Sequence, residues 1–261
     1  MNEIIQKKLL EIEEKYKVKI LYAVESGSRA WGFPSKDSDY DVRFIYIHPS
    51  EWYLSIDPQG IGVKRDVIEK PINDLLDISD WEITKALRLF RKNNPPLLEW
   101  LRSNIIYYQK YSFVDNIRSL ESSVFYPNSM LHHYLNMAKN NYREYLQGPE
   151  VRIKKYFYVL RPILACKWIE KYNTTPPISF HELLEDSLQE GELKNAIEHL
   201  LKRKLIGDEL DIEPRIYVIN DFVENEMEQL KEYVKSLKVE TKDSTKILDE
   251  LFRNTLQEVW K

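Results

Sequence analysis

A single cysteine, Cys166, stands in 261 residues, so the chain has no internal disulfide, and no Cys/His spacing suits zinc. The five histidines are scattered except for the pair His132-His133. No apolar run approaches the roughly 20 residues that a membrane span needs. The opening Met1-Asn2-Glu3, followed by mixed charge, lacks the apolar core of a signal peptide. A cytoplasmic protein with no membrane attachment is therefore expected. Basic charge is not in excess either: 38 Lys+Arg face 42 Asp+Glu, a net charge of −4. That balance disfavours a surface coated for long nucleic acid. No internal repeat and no low-complexity linker is present. A secreted disulfide scaffold, a membrane protein and a zinc module are all disfavoured.

What the chain does contain is 43% hydrophobic and 31% charged residues, the balance of a globular protein that builds one large core or two modest ones. Charge is graded along it. Residues 1–110 are net neutral, 111–205 carry +2 and 206–261 carry −6, so the middle segment is the electrostatic host for an anion.

Residues 3–16 read as an amphipathic helix, with Ile4, Ile5, Leu9, Leu10 and Ile12 set among charges. Val18 to Val24 is a β-branched and aromatic run, hence a strand; Tyr40 to Ile47, Val63 to Ile72 and Leu75 to Ile78 read as three more. From Ile83 the apolar period becomes helical. It is interrupted at Asn93-Asn94-Pro95-Pro96, and after about residue 112 helices dominate, at 129–146, 150–172, 179–186, 190–204, 217–236 and 244–260. The expected fold class is α+β: a mixed-sheet domain over 1–112 followed by an all-helical domain over 113–261.

One constellation carries chemistry. Gly27-Ser28 ends the first strand and opens a short helical piece, where backbone N–H groups and the Ser hydroxyl can hold a phosphate. After the loop through Gly32-Phe33-Pro34-Ser35 comes Asp37-Ser38-Asp39-Tyr40-Asp41-Val42, entering a strand. Strand alternation places Asp39 and Asp41 on one face, about 6.5–7 Å apart. Two carboxylates so placed repel unless a cation lies between them. A pair of Mg²⁺ ions about 3.5–4 Å apart suits that need. A phosphate cradle beside metal-binding carboxylates implies phosphoryl or nucleotidyl transfer. A lone Gly-Ser or a lone Asp-x-Asp is close to noise; their order and spacing together are specific.

Gly27-Ser28, ten residues, then Asp39-Tyr40-Asp41-Val42 resembles the signature of the DNA polymerase β-like nucleotidyltransferase superfamily. The longer strings Gly27-Ser28-Arg29-Ala30-Trp31-Gly32-Phe33 and Asp37 to Arg43, with Asn94-Pro95, Glu99-Trp100-Leu101 and Lys154 to Pro162, narrow it. They are similar to a nucleotidyltransferase family of bacteria and phages, some members of which are associated with RNA-repair ligase operons. The resemblance spans about residues 18–230. It implies a mixed-sheet catalytic domain and a helical domain, with Gly27 and Ser28 on the triphosphate and Asp39 and Asp41 on two Mg²⁺. A third carboxylate is implied on a neighbouring strand. Asp77, Asp80 and Glu82 crowd one stretch there and the choice stays open; Asp77, between Leu76 and Ile78, is preferred, while Asp80 and Glu82 suit the acidic start of the next helix.

In the helical half, Ile153, Phe157, Leu160, Leu164 and Trp168 form an apolar stripe. Lys154, Tyr158 and Arg161 repeat the spacing one step round, a cationic, aromatic face suited to a triphosphate and a base, against the plainer reading of a solvated face. Pro162 is expected to kink this helix. Arg29 is a further candidate for a phosphate, and Trp31 and Phe33 are expected to pack against the sheet or border the nucleotide. The implied activity is Mg²⁺-dependent transfer of a nucleoside monophosphate from a triphosphate, ATP first among them, to an acceptor hydroxyl such as an RNA end. AMP transfer to a protein or a small molecule uses the same core, and a non-catalytic nucleotide- or RNA-binding module is the remaining alternative.

Overall fold

The computed structural model describes residues 1–35, 38–56, 70–73, 75–208, 210–237 and 243–261, and the side chains of 70–73 are not part of that description. Asp37 and most of the expected strand from Val63 lie outside the described residues. In chain order the elements are α1 (Asn2–Tyr16), β1 (Lys19–Glu25), α2 (Gly27–Ala30), β2 (Tyr40–Ile47), α3 (Ser50–Tyr53), β3 (Lys70–Asn73), β4 (Leu76–Glu82), α4 (Ile83–Arg91), α5 (Pro95–Arg102), β5 (Ile106–Gln109), α6 (Phe113–Ser119) and α7 (Glu121–Val124). Then come α8 (Pro127–Tyr145), β6 (Glu150–Arg152), a 3₁₀ turn (Ile153–Lys155), α9 (Tyr156–Tyr172), α10 (Phe180–Ser187), α11 (Glu192–Ile206), β7 (Ile212–Pro214), α12 (Tyr217–Ser236) and α13 (Thr245–Val259).

The chain forms two compact units. The first comprises Met1–Ala30, Asp39–Val124 and Lys242–Lys261. Among the described residues its sheet has the order β3-β4-β2-β1-β5, with β2 and β4 parallel and the other pairings antiparallel. Val42, Phe44 and Tyr46 of β2 and Leu76 and Ile78 of β4 turn one sheet face toward Ile5, Leu9 and Ile12 of α1, whose i, i+4, i+7 spacing supplies a matching apolar stripe. On the other face Trp81 stacks on Trp100 of α5, ring centroids 3.8 Å apart. The residues of β4 alternate strictly between buried and half-buried, so Asp77, Ser79 and Trp81 share the face opposite Leu76 and Ile78.

The Asn-Asn-Pro-Pro interruption is a restart between helices. The Asn94 side chain accepts the Leu97 N–H at 3.2 Å, and the prolines occupy the first helical positions, where a missing N–H costs nothing. The start of α4 is fixed by Glu82, whose carboxylate accepts the N–H groups of Thr84 at 2.8 Å and Lys85 at 3.3 Å and a 2.5 Å bond from the Tyr53 hydroxyl. Glu82 therefore does mark the start of a helix, whereas Asp80 lies inside β4, fully buried.

The second unit comprises Trp31–Ser38 and Phe125–Thr241. It is mostly helical, with α9 at its centre: Phe157, Leu160 and Leu164 are fully buried, as the periodicity requires. One expectation is corrected here. The part is not wholly helical: after α8 and Gly148-Pro149, residues 150–152 pair with 212–214 as a short antiparallel ribbon. Trp31 and Phe33 pack within this unit. Phe33 stacks on Phe157 (5.0 Å) and meets Phe180 edge-on (5.3 Å), and the Trp31 carbonyl accepts the Phe180 N–H at 3.0 Å. Pro162 lies within α9, which continues through it as one element. Among the described residues no helix is long and apolar enough to cross a membrane.

Candidate active site

Carboxylates of the first unit gather where β1 ends and β2 and β4 begin, beside α2. Parallel pairing places Asp41 of β2 directly opposite Asp77 of β4. Between them stands Arg43, two residues on from Asp41 and hence on the same face. Its Nη2 donates to Asp41 Oδ1 at 3.1 Å and to Asp77 Oδ2 at 2.8 Å. The Asp77 side chain is 50% exposed and that of Asp41 31%, so both carboxylates are open to a ligand. Asp39 is exposed and precedes the first paired residue of β2, Tyr40, so strand alternation relates Asp41 to Arg43 more firmly than to Asp39.

Burial pushes the Asp41 carboxyl above the usual carboxylate range. Arg43 pulls it back, and the charges of Asp77 and Asp39 push it up again. The three carboxylates are thus close enough to feel one another.

Gly27 and Ser28 form the first turn of α2. Gly27 has φ of +61°, a backbone region that suits glycine, and a Cβ there would collide with Asp41 Oδ2. The bare glycine lets the turn close against the carboxylate, which sets the first backbone N–H groups of α2 beside it. The Ser26 N–H donates to the Asp41 carbonyl at 2.8 Å, holding the start of the turn to β2. Arg29 lies over the Tyr40 ring, 3.8 Å from its centroid, and its Nε donates to the Asp39 carbonyl at 3.1 Å. It ties the two halves of the motif together.

Two participants were not singled out from sequence. Arg43 carried the signal of sharing parity with Asp41. Glu25, the last residue of β1, is fully buried; its Oε1 accepts the Asp41 N–H at 2.9 Å and its Oε2 accepts from the Tyr107 hydroxyl. Burial raises its carboxyl above the usual range, against those two hydrogen bonds. Only the pairing of β1 with β2 and β5 brings these groups together, so Glu25 had no sequence signal beyond its place before Ser26-Gly27-Ser28.

Among the described residues no three His, Cys, Asp or Glu side chains already form a metal cage. The donor chemistry nevertheless fits a hard divalent cation: Asp39, Asp41 and Asp77 offer carboxylate oxygens that repel one another, and a cationic guanidinium already fills the gap between two of them. A cleft of about 250 Å³ between α4 and α13 is lined by Leu87, Arg88, Arg91, Leu248 and Phe252, and none of these carboxylates borders it.

In the second unit, Lys154 is exposed in the 3₁₀ turn before α9, and Tyr158 is half-buried with its ring edge-on to Trp31, 6.1 Å away. Arg161 does not share the exposure of Lys154 and Tyr158. It is 2% exposed, its guanidinium lies 4.6 Å from the Trp31 ring centroid, and Nη2 donates to the Ile178 carbonyl at 3.4 Å. The turn of α9 after Tyr158 rotates inward, so the spacing that linked the three residues links two surface groups and one internal one. Lys155 places its amine over the rings of Tyr145 (4.2 Å) and Tyr158 (5.0 Å).

Comparison with known proteins gives three findings. The model of a family described as RNA repair pathway DNA polymerase beta family matches residues 1–254. The YcgL protein of Bacillus subtilis (strain 168) is 57% identical over 261 residues, covering 100% of this chain and 98% of that one. A nucleotidyltransferase-like protein from Exiguobacterium sibiricum 255-15, of known crystal structure, is a distant likeness: 13% identity, 98% of this chain and 89% of that one, TM-score 0.29.

Proposed function

We propose that this chain, which belongs to the RNA repair pathway DNA polymerase beta family, is a Mg²⁺-dependent nucleotidyltransferase. It would move a nucleoside monophosphate from a nucleoside triphosphate, ATP first among them, to an acceptor hydroxyl at an RNA end. The observation that supports this reading best is the closure of the Gly27 turn on Asp41, with Asp41 in register with Asp77. A phosphate cradle and two carboxylates share one corner.

In the proposed reaction the acceptor oxygen forms a bond to the α-phosphorus while the bond from that phosphorus to the α–β bridging oxygen breaks, and pyrophosphate leaves. Two Mg²⁺ held by Asp39, Asp41 and Asp77 would neutralise phosphate charge and acidify the acceptor hydroxyl. Asp77, the more exposed of the two carboxylates that share Arg43, takes the acceptor's proton. Arg43 holds both carboxylates to a common point. Glu25 fixes the backbone of Asp41 through its N–H, and Gly27 and Ser28 hold the triphosphate with backbone N–H groups and a hydroxyl. Arg29 steadies Tyr40 and the Asp39 carbonyl. In the second unit we assign nucleotide contacts to Lys154 and Tyr158, with Arg161 as a positioning residue that holds Trp31.

The test is incubation with each labelled triphosphate, Mg²⁺ and either RNA of defined ends or a protein lysate. Label in RNA is expected. Label in protein would move the acceptor to a polypeptide, and triphosphate binding without any transfer would overturn the enzyme reading.

A further inference from the structure

Lys204 lies in the last turn of α11 with its stem buried in the second unit. The residue is 4% exposed and its amine lies 5.6 Å from the centroid of the Phe33 ring. Burying an ammonium costs several kcal/mol unless a carboxylate or hydrogen-bond acceptor compensates it. Among the described residues none does so for Lys204. Two of the acids that follow it in the chain, Asp208 and Glu213, are taken by Arg203: Nε to Asp208 at 2.5 Å, and Nη1 and Nη2 to Glu213 at 2.9 and 2.5 Å. What Lys204 meets instead is a second cation, Lys154, close enough to repel it electrostatically.

The two segments that carry these lysines are joined through the backbone. The N–H groups of Ile153 and Lys154 donate to the carbonyls of Asp211 (3.0 Å) and Leu210 (3.4 Å), pinning the 3₁₀ turn to the chain that leaves α11. The β6–β7 ribbon continues that attachment. Phe33, itself held by Phe157 and Phe180, supplies a rigid wall. A lysine whose stem is buried, with no carboxylate partner among the described residues and a second cation acting on it, is a place where an anion is stabilised.

We propose that Lys154 and Lys204, against the Phe33 ring, form a phosphate-binding subsite of the second unit. Its ligand is a phosphoryl group, from the polyphosphate of the nucleotide or from a phosphorylated end of the acceptor. Only the naming of those two sources rests on the transferase reading; the anion site stands on the lysines alone. Burial, and then Lys154, lower the Lys204 amine to about 8, as an uncompensated cation should behave, and a bound phosphate reverses both effects. The charge of Lys204 could not have been placed from sequence, where it is one member of the run Lys202-Arg203-Lys204.

The test is calorimetric titration of the full-length protein with inorganic tripolyphosphate, with a 5′-phosphorylated RNA oligonucleotide and with its hydroxyl-ended twin. Wild type, Lys204→Met and Lys204→Arg are compared. Lys204→Met is expected to weaken at least one phosphate-bearing ligand about ten- to hundred-fold, the range for losing a charged hydrogen bond. Lys204→Arg should retain part of that affinity. A loss confined to tripolyphosphate assigns the site to the nucleotide, and one confined to the phosphorylated RNA assigns it to the acceptor. If Lys204→Met binds every phosphate ligand as wild type does, the proposal is overturned, whether or not the protein transfers nucleotides. If wild type shows Lys204-dependent phosphate binding yet transfers nucleotide to no acceptor, the subsite stands and the transferase reading falls.

Discussion

Replacing Lys204 by methionine is expected to stabilise the ligand-free protein, an unusual direction for a core substitution. The amine falls from its ordinary 10.5 to about 8 on folding, so the folded state disfavours the charged form. That difference corresponds to about 3 kcal/mol, at roughly 1.36 kcal/mol per pH unit. The sign comes from proton counting. Between pH 8 and 10.5 the unfolded chain holds the proton more tightly than the native one, so wild-type stability rises with pH across that window. Below about pH 8 the cost is present in full, and above about pH 10.5 it is gone. Methionine keeps the length and apolar stem of lysine without its charge. Urea denaturation in phosphate-free buffer should therefore show Lys204→Met more stable by about 1–3 kcal/mol at about pH 7, with the gap closing toward about pH 10. Taking the difference between the two proteins at each pH cancels the other titrating groups. Adding tripolyphosphate should stabilise wild type and not the variant, because a ligand of the native state shifts the unfolding equilibrium. A variant no more stable at neutral pH, or an advantage that does not change with pH, would refute the claim that this lysine is buried at a cost.

Asp41→Asn should abolish nucleotide transfer while leaving the thermal transition within a few degrees of wild type, since burial and the neighbouring carboxylates outweigh Arg43 and hold the Asp41 carboxyl above its usual range; undiminished transfer would sink the assignment, and Asp39→Ala is expected to abolish transfer likewise. Gly27→Ala should cost upwards of about 2 kcal/mol, combining a left-handed backbone with a collision at Asp41; the double variant with Asp41→Gly should recover part of that loss in urea unfolding, and strict additivity would show that the two do not touch. Glu82→Ala removes the cap of α4 and leaves the Tyr53 hydroxyl without its acceptor, so a loss of about 2 kcal/mol is expected from chemical denaturation. Tyr107→Phe, which strips one hydrogen bond from Glu25, should lower the turnover rate more than nucleotide affinity, and equal changes in both would remove Glu25 from the positioning of Asp41.

Much of the frame was legible because local rules and tertiary packing agree. The stripe of α1, the strand Tyr40–Ile47 and the switch to helical period at Ile83 come from residues whose burial the fold later uses in the same sense. The weak points were short segments. β5 carries only four residues and β6 three, too few for a period, and both exist because a neighbouring strand supplies hydrogen bonds from far along the chain. Arg161 was misplaced for a related reason. Helical spacing says which residues share a face, but whether that face meets water or Trp31 depends on what packs there.

By itself, the sequence determined that Gly27-Ser28 and Asp39-Tyr40-Asp41 would meet around a strand end, since glycine conformation and strand alternation act within a few residues. It also determined the hard-oxygen chemistry of the candidate centre. Only the tertiary structure decided which carboxylate stands opposite Asp41, because register between β2 and β4 is set by pairing across 36 positions. It alone showed Arg43 between the two aspartates, Glu25 behind them, and Lys204 turned inward toward Lys154. Charge is written in the sequence, but its cost is set by the dielectric and neighbours that folding supplies, and a buried lysine reads the same as a solvated one until the chain has closed around it.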